Sequence, residues 1–316
     1  MHCLVLGGNG FIGSHLVDHL LLAGHSVRVL DRNLRNLAGR DQRCEFVLGD
    51  IADGKKLDVA LDSIEVVYYL AWTTIPQTSN ADIVGDIQSN LVSSVGVLDR
   101  CVRAGVTKVV FASTGGAIYG IPLRVPIAED HPTLPLSSYG ITKLAVEKYA
   151  RMYHHLHGLE VVVLRVSNAY GPRQDPSRGL GAATTFLSRA ARGEEITVWG
   201  DGSIVRDYIH VEDVAEAYLC AGEQSCPSLI YNVGAGVGTS LNELLDIIRS
   251  VTGLPLRVRY TASRQFDVPA VILDSSLIET ELKWATQIEL VEGVRRTWDW
   301  IRHTAASPLE SANLFP

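Results

Sequence analysis

The sequence predicts an α/β protein built on a doubly wound parallel sheet, and three observations lead to this prediction. Up to about residue 168, short runs rich in Val alternate with longer amphipathic stretches of helical period. Most of the short runs are apolar throughout, as strands covered by helices on both faces should be. A glycine-rich turn at residues 7–13 connects the first run to the first amphipathic stretch. This combination is typical of a Rossmann domain.

The elements follow in a regular order. The predicted strands of the first part are residues 2–6, 26–30, 44–48, 66–70, 108–112 and 160–166. The predicted helices of the first part include residues 11–23, 83–104 and 138–157. After residue 168 the chain becomes irregular, and shorter elements follow at 182–191, 211–221, 229–233, from Leu241, and at 290–301. Ser240 and Glu243 have the spacing of a capping box. We therefore expect a nucleotide-binding domain at 1–168 and a smaller, mainly substrate-binding domain at 169–304, some of whose elements return to the first domain. A frayed tail should follow at 305–316.

Composition excludes several classes of protein. The formal net charge is −7 and no basic run occurs, which argues against a nucleic-acid surface. No apolar run approaches the ~18 residues of a membrane span, and no leader segment precedes the first strand. The five cysteines are scattered without a Cys-x-x-Cys pair, which indicates a reducing, cytoplasmic location and no metal. The cluster at His154, His155 and His157 ends a predicted helix before Gly158, where cations are favourable, so it also predicts no metal site.

The glycine-rich turn has the spacing of a dinucleotide-binding fingerprint. At Gly7, Gly10 and Gly13 the absence of a Cβ allows the backbone to approach a pyrophosphate and the helix to pack close to the sheet. Asp31 ends the next strand, about 20 residues further on, where a carboxylate accepts hydrogen bonds from ribose hydroxyls and repels a 2′-phosphate. The sequence therefore predicts NAD rather than NADP, although Arg32 follows immediately.

Other residues are expected to complete this cofactor site. Phe11 and Ile12 begin the helix whose positive end faces the phosphates. Asp50 and Ile51 follow the third strand and should lie near the adenine, although Asp50 can equally be a turn residue. Trp72 is placed near the cofactor, whereas Trp199, Trp284, Trp298 and Trp300 are interpreted as packing residues.

A catalytic pair is predicted at the start of the helix at 138–157. Tyr139 and Lys143 are four residues apart and therefore share one helix face. An ammonium beside a phenol favours the phenolate, and oxidised nicotinamide adds more positive charge, so we expect both to lower the pKa of Tyr139 toward that of a working general base. Thr114 or Ser113 ends the preceding strand, at the sheet edge where ligands bind in open α/β sheets, and either could supply a hydroxyl donor.

These motifs together resemble those of the extended short-chain dehydrogenases/reductases, in the subgroup of NAD-dependent sugar-nucleotide epimerases and dehydratases. The segments that carry the resemblance are residues 7–13, FASTGGAIYG at 111–120, YGITK at 139–143 and RDYIHVEDV at 206–214. The likeness extends from residue 1 to about residue 302. It implies that Tyr139 is the acid/base, that Lys143 binds the nicotinamide ribose, and that Thr114, or alternatively Ser113, bonds the reacting sugar oxygen.

The resemblance also implies substrate-binding residues. Asn168 matches a substrate-contacting asparagine, and Arg206 matches a diphosphate-binding arginine, for which a salt bridge to Asp207 or Glu212 is the alternative. Arg264 and Asp267 match an Arg-x-x-Asp that binds phosphate and the uridine ribose, although the usual Pro-Gly between them is absent.

The reaction implied by the resemblance is NAD-dependent 4-epimerisation of a UDP-sugar. Gly115 and Gly116 stand where dehydratases carry an Asp-Glu pair, and glycine cannot transfer protons. Val271 falls at a position that gates the sugar pocket, where a small side chain leaves room for UDP-N-acetylglucosamine beside UDP-glucose. Arg173 and Arg178 could instead face the carboxylate of UDP-glucuronate, or lie in a solvated loop.

Two further expectations concern the oligomeric state and the alternative activities. The helices at 83–104 and 138–157 resemble the pair through which relatives form homodimers. The alternative activities are an NAD(P)-dependent sugar-nucleotide reductase, dehydrogenase or dehydratase, and a non-catalytic nucleotide-sensing module.

Overall fold

A seven-stranded, entirely parallel sheet forms the centre of the computed structural model, which describes residues 1–33, 36, 43–179, 181–263 and 268–306. Its strands are β1 (His2–Leu6), β2 (Ser26–Asp31), β3 (Cys44–Leu48), β4 (Val66–Tyr69), β5 (Lys108–Thr114), β6 (Glu160–Val166) and β10 (Ile230–Val233). The strand order is β3-β2-β1-β4-β5-β6-β10, so the direction of winding reverses between β1 and β4. The predicted doubly wound Rossmann fold is confirmed, and ligands of such sheets bind beside that reversal.

Helices cover both faces of this sheet. Those of the first part are α1 (Phe11–Leu22), α2 (Gly54–Leu61), α3 (Pro76–Ser79), α4 (Ile83–Asp86), α5 (Ser93–Ala104), α6 (Gly115–Ile118) and α7 (Ser138–His157). Helix α1 packs against α9 (Val211–Glu223) on one face, whereas α2, α5 and α7 lie on the other. Because both faces are buried, β1 and β4 are apolar or aromatic along almost their whole length, as the sequence predicts.

The predicted helix at 83–104 is helical over its whole length, but it is not α-helical throughout. A π-helical segment, Ile87–Val92, separates α4 from α5. Within it Asn90 is buried, and its side-chain oxygen accepts hydrogen bonds from the backbone N–H and the hydroxyl of Thr73. The sequence periodicity did not indicate this widened turn, and such turns frequently occur at functional sites.

The remaining elements form a smaller layer beside the main sheet, apart from the helix Ser276–Leu282, which packs on β10 of the main sheet. They are the strands β7 (Asn168–Tyr170), β8 (Ile196–Trp199), β9 (Val205–His210), β11 (Gly238–Ser240), β12 (Val258–Thr261) and β13 (Ala270–Val271), with helices α8 (Ala182–Ala191), α10 (Leu241–Thr252), α11 (Ser276–Leu282) and α12 (Leu290–Ala306). Strand β9 pairs with β7, β11 and β13, while β8 pairs with β12. Ser240 and Glu243 form the predicted capping box of α10. Helix α12 continues through Ala306, five residues beyond its predicted end, and the rest of the expected tail lies outside the described residues.

Three features expected from composition can be compared with the structure. Across the described ranges, no helix has both the length and the apolarity needed to span a membrane. All five cysteines are free thiols. No group of three or more potential metal ligands occurs among the residues that the structure describes.

Candidate active site

A cleft of about 300 Å³ opens at the carboxyl ends of β1, β2, β4 and β5, beside the reversal of the sheet. It brings together nearly all the residues that the sequence assigned to the cofactor and to catalysis. The predicted residues that line it are Gly7, Gly10, Phe11, Ile12, Gly13, Asp31, Asp50, Ile51, Ser113, Tyr139 and Lys143. Trp72 lines it as well, as expected.

The floor of this cleft is bare backbone because side chains do not fit there. Gly7 adopts φ +83°, and a Cβ on it would lie 2.8 Å from the backbone nitrogen of Ala71. A Cβ on Gly13 would lie 2.3 Å from the carbonyl oxygen of Gly7. Any residue larger than glycine at these two positions would overlap neighbouring backbone atoms. Because the turn carries no side chains there, the N-terminus of α1 stays open to a pyrophosphate.

Asp31 is fixed at the end of β2 by the backbone on both sides of the cleft. Its carboxylate accepts hydrogen bonds from the backbone N–H of Asn9 at 3.0 Å and from that of Arg32 at 2.7 Å. The Arg32 guanidinium lies 4.0 Å from the carboxylate of Asp50 at an exposed position. A carboxylate held in this way retains acceptor capacity for ribose hydroxyls.

Tyr139 and Lys143 lie one turn apart at the start of α7, on the face toward the cleft. The Lys143 Nζ donates a 2.6 Å hydrogen bond to the carbonyl oxygen of Ala112 and lies 3.6 Å from the centre of the Trp72 ring. Its distance to the centre of the Tyr139 ring is 5.8 Å. The side chain is only 3% exposed, so the ammonium is surrounded by a carbonyl and aromatic faces rather than by water.

The electrostatics of this pair differ from the expectation drawn from the sequence. Burial raises the pKa of Tyr139 to about 12; a hydrogen bond with the Thr114 side chain opposes this rise, and the charge of Asp86 adds to it. Burial also holds the pKa of Lys143 well below its usual value. In the protein without NAD, burial therefore raises the tyrosine pKa, which is opposite to the direction expected from the lysine and the nicotinamide together. The lowering with oxidised nicotinamide bound stays a prediction.

The two candidate hydroxyls at the end of β5 have different surroundings. The Ser113 Oγ donates a 2.6 Å hydrogen bond to the carboxylate of Glu147, which also forms a buried ion pair with Arg165. Thr114 instead contacts the Tyr139 side chain, whose pKa its hydrogen bond lowers. Successive residues of a strand point to opposite faces, so only Thr114 directs its hydroxyl to the phenol.

A second, larger cleft of about 760 Å³ is lined almost entirely by the smaller layer, with Gln77 of α3 as its contribution from the first part of the chain. Asn168 and Arg206 both line it, as predicted. The Arg206 side chain donates to the carbonyl oxygens of Val205 and Val268 at 2.8 and 2.7 Å. Its two alternative ion-pair partners are engaged elsewhere, since the Asp207 carboxylate accepts from backbone N–H groups and Glu212 binds two histidines.

Several residues of this larger cleft were missed in the sequence. They are Gln77, Phe186, Trp199 and Tyr208. Trp199 was interpreted as a packing residue, but its side chain is 43% exposed in the cleft wall, so that interpretation is wrong. The available signal was its place at the end of β8, directly before the turn at residues 200–203.

Other sequence assignments have different outcomes. Val271 is 2% exposed and packs with Ile118, Tyr119, Ile127 and Leu273, so it is enclosed in a core cluster and lines neither cleft. Arg173 donates to the carboxylate of Asp18 in α1 at 2.7 Å and lines neither of the two clefts. Arg264, Asp267 and the side chain of Arg178 lie outside the described residues.

Comparison with known proteins agrees with this arrangement. The model of the NAD dependent epimerase/dehydratase family matches residues 3–234, which include the whole cofactor cleft. The chain belongs to this family, and its cofactor is NAD. A UDP-glucose 4-epimerase of Mycolicibacterium smegmatis is 36% identical over 311 residues, covering 96% of this chain and 99% of the relative.

Solved structures give the same assignment. A UDP-glucose 4-epimerase of Thermotoga maritima, solved with UDP-glucose, has a TM-score of 0.92 at 36% identity and covers 96% of this chain and 100% of that one. The Thermus thermophilus UDP-glucose 4-epimerase, solved with NAD, has a TM-score of 0.87 at 35% identity, over 96% of this chain and 99% of that one.

The residues present fit this cofactor. Gly7, Gly10 and Gly13 leave room for a pyrophosphate over the start of α1. Asp31 lines the same cleft and has the sequence spacing of the carboxylate that binds the ribose in such sites. Trp72 and Lys143 lie at the other end of the cleft, beside Tyr139. The protein thus supplies a donor-rich end for the phosphates and a hydroxyl-bearing end for the nicotinamide.

Proposed function

We propose that the protein is a UDP-sugar 4-epimerase that inverts the configuration at C4 through a transient 4-keto sugar. The observation that carries this proposal is the contact between the Tyr139 and Thr114 side chains at the lysine-bearing end of the NAD cleft. Two hydroxyl groups of different acidity can hold one sugar hydroxyl and move its proton. Family membership and the 4-epimerase relatives support the same reaction.

Each group in this site has a distinct task. Tyr139 removes the proton of the 4-hydroxyl and later returns it, while Thr114 orients the same oxygen. Lys143 binds the nicotinamide ribose and places a positive charge near the phenol. The chemistry that NAD supplies when bound is removal of hydride from C4 and its return to the other face. Since the hydride returns, the reaction has no net redox change.

Epimerisation is favoured over dehydration by the start of α6. Dehydration needs an acid and a base beyond the tyrosine, and here Gly115 and Gly116 occupy the adjacent positions. A Cβ on Gly115 would lie 2.4 Å from the side chain of the buried Leu273, so a larger residue at this position would require that side chain to shift. A net reductase or dehydrogenase remains the second candidate, and it would change NAD(P)H absorbance stoichiometrically.

The larger cleft is proposed to bind the UDP part of the substrate. Arg206 presents a guanidinium fork suited to the diphosphate, and Asn168 contacts the sugar side. Arg264 and Asp267 are proposed to complete the phosphate and ribose contacts. We regard residues 169–304 as the mainly substrate-binding part and residues 1–168 as the NAD-binding part. UDP-glucose is the first candidate sugar, since the enclosed position of Val271 removes the structural reason for preferring an N-acetyl sugar.

We further propose a cytoplasmic homodimer. The free thiols suit a reducing compartment. Exposed apolar side chains occur on the two long helical stretches expected to pair between subunits. They are Ile83, Val84, Ile87, Val92, Tyr149, Met152 and Leu156. Light scattering should give twice the chain mass of 34.4 kDa, and a monomer in solution would contradict this assembly.

Proton NMR of the purified protein with UDP-glucose, UDP-N-acetylglucosamine or UDP-glucuronate, and no added cofactor, tests the reaction. A new anomeric signal from the 4-epimer is expected with at least one of them. Tyr139→Phe should reduce turnover by about 1000-fold or more, because no other group takes the proton, while NAD binding stays within about twofold. No 4-epimer from any of the three sugars, even with NAD supplied, would overturn the proposal, as would a Tyr139→Phe protein active within tenfold.

A further inference from the structure

Lys143 carries its charge in a place with little compensation. Its side chain is buried, and its hydrogen bond is to the neutral carbonyl of Ala112. Within the described part of the chain, no carboxylate lies within ion-pair distance of its Nζ. A buried ammonium without a nearby counter-charge tends to lose its proton.

Asp86 is a buried carboxylate that, like the Lys143 ammonium, has no partner of opposite charge within ion-pair distance among the described residues. It ends α4, is 1% exposed, and accepts four hydrogen bonds, all from neutral groups. The donors are the Thr74 hydroxyl at 2.5 Å, the Asn90 amide at 2.8 Å, the Ser138 hydroxyl at 2.7 Å and the Thr142 hydroxyl at 2.8 Å. Among the described residues it has no cationic partner, so its negative charge is solvated by the protein but not neutralised.

The donors of Asp86 connect it to both sides of the catalytic pair. Ser138 precedes Tyr139 on α7, and Thr142 precedes Lys143. Thr74 belongs to the segment after β4 that begins with Trp72, whose ring covers the lysine ammonium. One carboxylate therefore holds together the two pieces of chain that enclose Lys143.

Two other groups around the pair have to be considered. Glu147 lies one turn beyond Lys143, and its charge raises the pKa of that lysine more than the charge of Asp86 does. Unlike Asp86, Glu147 is ion-paired with a cation, Arg165, at 2.7 Å. Tyr218, from α9, lies in the same cleft as Tyr139 and is neutral because burial raises its pKa. Asp86 is thus the acidic group of this region whose charge is not offset by a cation among the described residues.

We propose that Asp86 adds to the negative charge that favours the ammonium form of Lys143, and that it acts as a positioning residue for the Tyr139–Lys143 pair. This proposal rests on the roles proposed above for these two residues. Burial raises the pKa of Asp86, but its hydrogen bonds from Thr74, Ser138, Thr142 and Asn90 together lower it by more, so the net pKa lies below the usual value and the group is ionised. The charges of Glu147 and Asp86 both raise the pKa of Lys143, and that of Asp86 also raises the pKa of Tyr139.

Asp86→Asn is the direct test, because it removes the charge and keeps the shape. The amide oxygen can still accept from Thr74 and Asn90, and the amide nitrogen can donate to the hydroxyls of Ser138 and Thr142, which rotate to accept. Both apparent pKa values of the coupled Tyr139–Lys143 pair should fall by about one unit. Asp82→Asn, at the exposed cap of the same helix, is the matched control and should leave them unchanged.

The first readout needs no turnover. Phenolate absorbance of the NAD-loaded protein, measured against pH and corrected with the Tyr139→Phe protein in the same background, gives the apparent pKa of Tyr139. The second readout is the dependence of kcat on pH, both limbs of which should move to lower pH. If the absorbance shifts but no epimerisation occurs in the unsubstituted protein, the proposed function fails and the role of Asp86 stands.

Two results would overturn the role of Asp86. One is a folded Asp86→Asn protein whose phenolate titration coincides with that of the unsubstituted protein. The other is a loss of activity equal at every pH, which a purely structural role produces. If Asp86→Asn does not fold, Asp86→Ser removes the same charge, and water can enter the space and accept the hydrogen bonds of the hydroxyls. A phenolate titration of the Asp86→Ser protein that is not shifted would also overturn the role of Asp86.

Discussion

The two clefts of this molecule are built in different ways. The NAD cleft is formed by short contiguous segments, in which Gly7–Gly13 of the turn and Tyr139–Lys143 of one helix supply most of its chemistry. The larger cleft, which we propose to bind UDP, takes its wall from α3, α8, β7, β8, β9 and α10, which are far apart in the chain. The first is constrained by backbone packing and the second by side-chain surfaces. Substitutions in the first should therefore abolish function, and those in the second should change affinity.

Gly13→Ala should have the largest effect of the substitutions considered for this comparison. The new Cβ would lie 2.3 Å from the Gly7 carbonyl oxygen and 2.8 Å from the Gly8 Cα, so the turn itself has to move. We expect NAD affinity to fall by about 100-fold, since relieving such an overlap costs ~3 kcal/mol. Calorimetric titration of the NAD-free protein measures this.

Gly96→Ala is the matched control for that substitution. Gly96 lies within α5, and a Cβ there would meet no atom within 4 Å. It should leave NAD binding unchanged and raise the free energy of unfolding by about 1 kcal/mol, because alanine is the better helix former. Equal NAD affinities for the two alanine proteins would mean that the turn is not held as tightly as its contacts indicate.

Trp199→Ala should separate the second cleft from the first. The half-exposed indole lines the larger cleft and not the NAD cleft that holds Tyr139. Losing its contact with the substrate should raise KM about 10-fold and leave kcat within about twofold, since such a contact is worth ~1–1.5 kcal/mol in both ground and transition states. Trp199→Phe retains a ring and should stay within about threefold in KM. Steady-state kinetics with UDP-glucose would contradict this division if kcat fell instead.

The same contrast explains what could be predicted from the sequence. Nearly all the residues that the sequence assigned to the cofactor line one cleft, because glycine spacing, Asp31 and the pair on α7 are local patterns with direct physical meaning. Others that line it, such as Asn9, Thr73 and Tyr218, were not assigned. Trp199 and Phe186 were missed because an exposed wall residue and a core residue have the same local pattern until the fold places them. Asp86 was missed for another reason, since its role depends on a π-helical turn and on hydroxyls more than 50 residues away in the chain.

The pKa of Tyr139 illustrates a limit of another kind. Spacing places the lysine and the tyrosine on one helix face, and that placement is correct. It does not give the depth of burial, which raises the pKa of Tyr139 and lowers that of Lys143. The sign of such a shift depends on desolvation, and desolvation is a property of the assembled fold.

A third region, the contact between α1 and α9, should affect neither cleft directly and so gives the smallest expected effect. His19 lies between two carboxylates there, 2.8 Å from Glu212 and 3.1 Å from Glu216. The hydrogen bond to Glu212 is the largest cause that raises the pKa of His19, and burial opposes it. Because the pKa in the folded state is above the unfolded value, the stability from this charge is complete below about pH 6.5 and is lost as the pH rises through the folded-state pKa.

His19→Gln should therefore flatten the decline of stability between pH 6 and pH 9. Glu212 does not contribute to the slope in that range, because hydrogen bonds from His15 and His19 lower its pKa and it is ionised in both states. We expect the difference in unfolding free energy between the two pH values to shrink by about 1 kcal/mol, the size of a partly exposed ionic hydrogen bond. Urea unfolding of both proteins at each pH measures it, with NAD saturating throughout. If the free energy of unfolding of the two proteins fell equally between pH 6 and pH 9, α1 and α9 would be held together by apolar packing alone. The ion pairs of His19 would then not contribute to the stability of the NAD-binding helix.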